Sequence, residues 1–131
     1  AAVRHVEGLV GGLQGKVIGL LGLAFKPNTD DVRHAPALEV IGRLLSEGTQ
    51  VIAYDPKAIP ATRQEIQHEL LTFADSVTDC VSKCDCVLIL TEWDEFRNED
   101  LYRGKVVIDG RRALDPAKAK EVCRHYEGVC W

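Results

Sequence analysis

The sequence predicts a doubly wound α/β domain, a mainly parallel sheet with helices on both faces. Residues 17–23 and 86–90 are continuously apolar, as strands buried on both sides are. Around them, segments with apolar residues at steps of three and four alternate with shorter strand-like runs, the mark of strand and helix in turn. That alternation implies right-handed crossovers and parallel strands. At 131 residues and 46% hydrophobic, the chain is long enough for one domain with a sizeable core.

Residues 1–14 set Val3, Val6, Val10 and Leu13 on one helical face. Gly8, Gly11 and Gly12 weaken that helix, each by up to ~1 kcal/mol relative to alanine, and the stretch reads as the end of an element belonging to something upstream. The first strand, 17–23, runs into a loop of roughly a dozen residues, longer than a strand-to-helix turn needs and so a candidate for function. Pro36 suits the first turn of a helix, whose inward face is Leu38, Ile41, Leu44 and Leu45 and whose C′ residue is Gly48. Ala35 at its N-cap lacks an acceptor, a loss of about 1 kcal/mol against serine or threonine.

Residues 50–54 form a second strand ending in Asp55 and Pro56. Pro60 starts a helix to about residue 67, and 70–73 is a short third strand. Val77, Cys80, Val81 and Cys84 share a face of a helix over 74–83. The central strand 86–90 leads to Thr91 and Asp94, spaced as a capping box, so a short helix carrying Trp93 and Phe96 is predicted from Glu92. A strand over 105–108 precedes Asp109, Gly110, Arg111 and Arg112. Asp115 and Pro116 open a last helix to about residue 125, and 128–131 is a final edge strand.

Net charge is −4, so nothing global points to nucleic acid or an anionic membrane as partner, and any anion site must be local. No apolar run approaches the ~18 residues of a membrane span, and the start lacks the order of a signal peptide. The chain is therefore expected to be soluble and cytoplasmic. Cys80, Cys84, Cys86, Cys123 and Cys130 are an odd number in an α/β pattern, which favours free thiols over a disulfide framework. Neither they nor the scattered His5, His34, His68 and His125 show metal-ligand spacing, so no metal is expected. No cysteine stands beside a base, so no catalytic residue is assigned. Trp93 and Phe96 are read as packing.

With strand order 3-2-1-4-5, Lys26 and Arg33, residues 91–93, and Arg111 and Arg112 come to one sheet edge near the topological switch point, where ligands bind. The dinucleotide fingerprint does not fit, since Gly19 and Gly22 are three apart and no Gly-x-Gly occurs. Asp55 ends the second strand, where a ribose-binding acid belongs, but independent NAD binding is disfavoured without the glycines. Lys26 offers a point charge, and Arg33 with Arg111 or Arg112 offers planar forks, suited to phosphate oxygens. The alternative is solvated side chains, or partners for Asp30, Asp31 and Asp109.

GLAFKPNTDDVRHAPALEVIGRLL, VIAYDP, TEWDEF and VVIDGRRALD occur in that order, and from about residue 15 to 115 the chain resembles the carboxy-terminal domain of the UDP-glucose 6-dehydrogenase family of nucleotide-sugar dehydrogenases. The resemblance implies a Rossmann-like UDP-binding domain over 15–131, preceded by an NAD domain and a long central helix whose trailing end residues 1–14 resemble. It implies that Phe25, Lys26 and Arg111, with Arg112 beside it, contact the UDP-sugar, and that Arg33 reaches NAD held by the other domain. The implied reaction oxidises the primary alcohol of UDP-glucose to the carboxylate of UDP-glucuronate in two NAD-dependent steps through a thiol-bound intermediate, in an enzyme that is a homodimer when full-length. TEWDEF and AYDP resemble the UDP-glucose branch more than the UDP-N-acetylmannosamine branch. The family's Gly-Gly-x-Cys-x-x-Lys-Asp type motif is absent, so no cysteine here takes the catalytic role, and the chain alone should bind nucleotide and catalyse nothing. Two rival readings are an autonomous NAD-binding regulatory module and a structural or dimerisation domain.

Overall fold

The structure is a computed structural model and describes residues 15–24, 26, 28–33 and 35–128. The helix end expected at 1–14, together with Phe25, His34 and Cys130, lies outside the described residues. Six strands form one parallel sheet: β1 (Val17–Leu21), β2 (Gln50–Tyr54), β3 (Leu71–Phe73), β4 (Cys86–Ile89), β5 (Val106–Asp109) and β6 (His125–Gly128). Their order is β3-β2-β1-β4-β5-β6, so the expected arrangement holds and a sixth parallel strand extends it. The helices are α1 (Pro36–Ser46), α2 (Ile59–Glu65), α3 (Val77–Ser82) and α4 (Pro116–Val122), with 3₁₀ turns at Asp94–Phe96 and Glu99–Tyr102. No described helix is long and apolar enough to cross a membrane.

Alternation along the central strands explains the two layers, because successive side chains leave opposite faces of a sheet. Ile18 and Leu20 of β1, with Cys86 and Leu88 of β4, pack with Ala37, Val40, Ile41 and Leu44 of α1. Leu21, Val87 and Ile89 point the other way, into Val77, Cys80 and Val81 of α3 and the rings of Phe96 and Tyr102. Gly19 also faces that second layer. A methyl added there would stand 2.7 Å from the Cys84 sulfur and 3.3 Å from that of Cys80, so the absent side chain lets α3 approach β1.

Three local expectations are corrected. Thr91 does not cap a helix from Glu92, because its hydroxyl donates instead to the Ala24 carbonyl at 2.7 Å, and only the 3₁₀ turn Asp94–Phe96 forms. The helix expected from residue 74 starts at Val77, where the Ser76 hydroxyl accepts from the Asp79 N–H at 3.0 Å. The last helix ends at Val122, and the edge strand begins at His125 rather than 128. There Arg124 N–H donates to the Lys105 carbonyl at 2.9 Å and turns the chain into the sheet, burying Tyr126.

Candidate functional site at the switch point

Successive strands diverge between β1 and β4, the two central neighbours, whose register pairs Leu21 with Ile89. Beyond their ends the loop before α1 meets the segment after β4. Gly22 makes that meeting possible. It has φ +98°, and a Cβ on it would lie 2.5 Å from the Thr91 side chain, so the position requires glycine on both counts. Leu90 N–H donates to the Leu21 carbonyl at 2.9 Å, and the Thr91–Ala24 bond extends the seam past the strands.

Two buried aspartates root the loops. Asp55, after β2, accepts from Leu23 N–H at 2.8 Å and Ala24 N–H at 3.4 Å on one oxygen, and from Lys57 and Ala58 N–H at 2.8 Å each on the other. Asp109, at the end of β5, accepts from Arg111 and Ala113 N–H on Oδ1, and from Leu114 N–H and the Tyr126 hydroxyl on Oδ2. Neither role was evident in the sequence. Asp55 occupies the position of a ribose-binding acid, yet both its oxygens are committed to backbone. Together with the missing Gly-x-Gly, this makes the chain's own residues a poor fit to NAD, since that cofactor needs a free carboxylate and an open glycine turn.

Asn28, Glu92, Trp93, Asp94, Glu95 and Arg97 line a cleft of about 460 Å³ beside this seam. Asn28 is left-handed, with φ 66°, a conformation that asparagine tolerates better than most residues. The indole N–H of Trp93 is buried and finds no acceptor among the described residues. Beside Glu95 of the lining, burial first and that carboxylate second push the Tyr54 hydroxyl up to about 12.

The predicted cations divide. Lys26 is exposed in the loop that carries Asn28. Arg33 is 79% exposed and held by its near neighbour Asp31, Nε to Oδ1 at 3.0 Å, which is the bland alternative the sequence left open. Arg111 is 31% exposed, and its fork meets Glu92, Nε to Oε2 at 2.8 Å and Nη2 to Oε1 at 3.4 Å. Arg112 turns away. Its left-handed backbone, φ 52°, sends it to a second cleft of about 400 Å³ shared with Pro116, Lys120, Tyr126, Glu127 and Gly128. Adjacent in sequence, Arg111 and Arg112 therefore serve different surfaces. Glu92 was missed as the partner of Arg111. Its only sequence signal was its place immediately after a buried strand.

The four described thiols do not resemble nucleophiles. Cys80, Cys84, Cys86 and Cys123 are free and buried. Burial is the leading cause that pushes Cys80 and Cys86 up to about 12 and Cys84 and Cys123 up to about 11, whereas a reactive thiolate needs the opposite shift. Among the described residues, no three His, Cys, Asp or Glu side chains are grouped to hold a metal ion.

The chain is similar to UDP-glucose 6-dehydrogenase of Rickettsia conorii, 35% identical over 127 residues that cover 92% of this chain and 29% of that protein. UDP-glucose 6-dehydrogenase of Haloferax volcanii is 42% identical over 106 residues, covering 78% of this chain and 24% of that one. Among solved structures, a UDP-glucose dehydrogenase from Pyrobaculum islandicum superposes with a TM-score of 0.86 at 42% identity, covering 99% of this chain and 29% of that chain. The chain thus spans less than a third of the length of these relatives. Residues 19–116 match the family described as UDP-glucose/GDP-mannose dehydrogenase family, UDP binding domain, and on that match, the relatives and the doubly wound sheet, the chain belongs to this family.

Proposed function

We propose that this chain binds the UDP moiety of UDP-glucose, with Lys26 and Arg111 at the diphosphate, as the nucleotide-sugar-binding part of an NAD-dependent UDP-glucose 6-dehydrogenase. The observation that carries the reading is the half-buried guanidinium of Arg111 beside the switch-point cleft, where α/β sheets bind ligands. The Trp93 N–H without an acceptor supports a polar ligand, because an unsatisfied buried donor costs about 1–3 kcal/mol that a ligand oxygen would relieve. The cleft's own lining is acidic, so the anion belongs on the Lys26 and Arg111 side and the uncharged parts of the ligand along Trp93. Phe25 joins Lys26 at the ligand. Arg112, in the second cleft, is the least supported of the four proposed contacts.

NAD belongs with the remainder of the enzyme, and Arg33, exposed near the end of the loop before α1, is the group that extends toward it. The catalytic thiol also comes from elsewhere, so the chain alone oxidises nothing. The full-length protein is a homodimer.

Calorimetric titration with UDP, UDP-glucose, GDP and NAD tests this. Saturable binding of UDP and UDP-glucose, lost in a Lys26→Ala, Arg111→Ala double variant and absent with NAD, is expected. Binding of NAD alone would replace the reading with a regulatory module.

A further inference from the structure

We propose that Glu92 is a positioning residue for Arg111, holding the guanidinium by its Nε edge so that the opposite edge is presented to the diphosphate. The inference rests on the proposed role of Arg111 as a diphosphate ligand. A guanidinium has five N–H donors in a fixed plane. Glu92 engages the Nε–H and one Nη2–H, which leaves the Nη1 edge for an anion, the bidentate geometry that favours arginine over lysine.

Both partners are fixed at their roots. The Arg111 N–H donates to Asp109 at 3.1 Å, and Gly110 N–H to the Ile89 carbonyl at 2.9 Å. Glu92 follows Thr91, whose hydroxyl is bound to Ala24. The carboxylate and guanidinium thus extend from the ends of adjacent strands, β4 and β5, and meet across the gap between them. At 25% and 31% side-chain exposure, they are neither dispersed in solvent nor sealed in the core.

The sign of the effect distinguishes positioning from simple charge. By Coulomb repulsion alone, a carboxylate near an anion site opposes binding, so removing it should tighten UDP. If Glu92 orients the fork, removing it lets a long side chain sample other rotamers, and binding weakens because that freedom must be lost in the complex. Ordering one such side chain is sufficient for about a five-fold change in affinity.

The test is UDP titration of the wild-type chain and of Glu92→Ala, Glu92→Gln, Glu92→Asp, Arg111→Ala and the Glu92→Ala, Arg111→Ala pair, with thermal unfolding of each. Glu92→Ala should weaken UDP about five-fold. Glu92→Gln keeps the reach and an acceptor oxygen without the charge, and should stay within about two-fold of wild type; Glu92→Asp keeps the charge but loses the reach, and should resemble alanine. Once Arg111 is gone, the second substitution should do nothing further. Tighter or unchanged binding in Glu92→Ala, with Arg111→Ala still weakened, overturns the positioning role and leaves the UDP reading intact. Unchanged affinity in Arg111→Ala, or a wild type that binds no UDP, overturns the reading beneath it. Should the alanine variant fail to fold, the glutamine and aspartate variants decide, since a competing charge leaves Glu92→Asp at the wild-type affinity and tightens Glu92→Gln, whereas positioning weakens Glu92→Asp and leaves Glu92→Gln near wild type.

Discussion

The Tyr126 hydroxyl donates to Asp109 Oδ2 at 2.9 Å, on the same buried oxygen that receives the Leu114 N–H. A tyrosine of the edge strand thereby completes the shell of the carboxylate that also holds the Arg111 backbone. Burial, and after it Asp109, raises the Tyr126 hydroxyl's pKa well above its ordinary range, so the phenol stays a donor through the neutral range. Tyr126→Phe should cost about 1.5–3 kcal/mol in urea denaturation, the worth of one bond to a charged group. Asp109→Ala strands three N–H groups as well and should cost more than about 3 kcal/mol. Equal losses would mean that water replaces the carboxylate.

Gly22→Ala should be the more damaging of two glycine substitutions. It forces a left-handed φ on a residue with a Cβ and drives that Cβ to 2.5 Å from Thr91, which together cost about 3 kcal/mol or more. Gly19→Ala meets only the Cys84 and Cys80 side chains and should cost about 1–3 kcal/mol. Adding Cys84→Ala removes the 2.7 Å sulfur contact and should recover part of the Gly19→Ala loss, read as favourable coupling in a double-mutant cycle.

Thr91→Val keeps the shape and removes the hydroxyl that holds the Ala24 carbonyl. A loss of about 1–3 kcal/mol is expected, with faster proteolysis in the loop over residues 24–35. Thr91→Ser retains the bond and should keep the loop protected, even though it gives up a buried methyl worth about 0.8 kcal/mol. If valine leaves the loop protected, the seam is held by the strand ends alone.

Alkaline pH should destabilise the chain in a defined window. Burial raises the thiols of Cys80, Cys84, Cys86 and Cys123 from an ordinary 9.0 to about 11–12, and the Tyr54 hydroxyl from 10.0 to about 12. Above pH 9 the unfolded chain releases these protons while the folded chain retains them, so stability falls as pH rises. It is fully present below about 9 and lost through about 12. Urea midpoints at pH 7, 8 and 10.5 should be nearly level over the first interval and drop over the second, and labelling of Cys80, Cys84, Cys86 and Cys123 at pH 8 should be slow until denaturant is added.

The sheet was legible because its central strands carry no polar residue to blur their limits. Residues 17–23 and 86–90 suit strands buried on both sides, alternation with helices implied parallel strands, and the doubly wound order 3-2-1-4-5 assumed for them is the one the sheet adopts. Side-chain bonds that join distant segments were not legible. Thr91 has capping-box spacing with Asp94, but a carbonyl 67 residues away takes its hydroxyl. Asp55 stands where a cofactor acid would, yet it is spent on four N–H groups. For the candidate site, charge and position singled out Lys26, Arg33 and Arg111 as candidates, while the divergence of Arg112 depends on one backbone angle that no spacing rule encodes. The edge strand was displaced because Tyr126, a strand residue, sits next to helix-compatible sequence.

The pairing of β1 with β4 also governs when the cleft comes into being. Ile18 lies beside Cys86, 68 positions along the chain, and every strand pair in the sheet is parallel, so the loop entropy of these contacts must be lost before they bring any gain. Neither half of the sequence contains the cleft. Asn28 belongs to one half and Trp93 to the other, and they share a wall only after the fourth strand docks on the first. A nascent chain halted before residue 86 lacks the cleft, and a ligand that bound only the finished sheet would add RT ln(1 + [L]/Kd) to its stability. Occupancy of this cleft would therefore report, and reward, completion of folding.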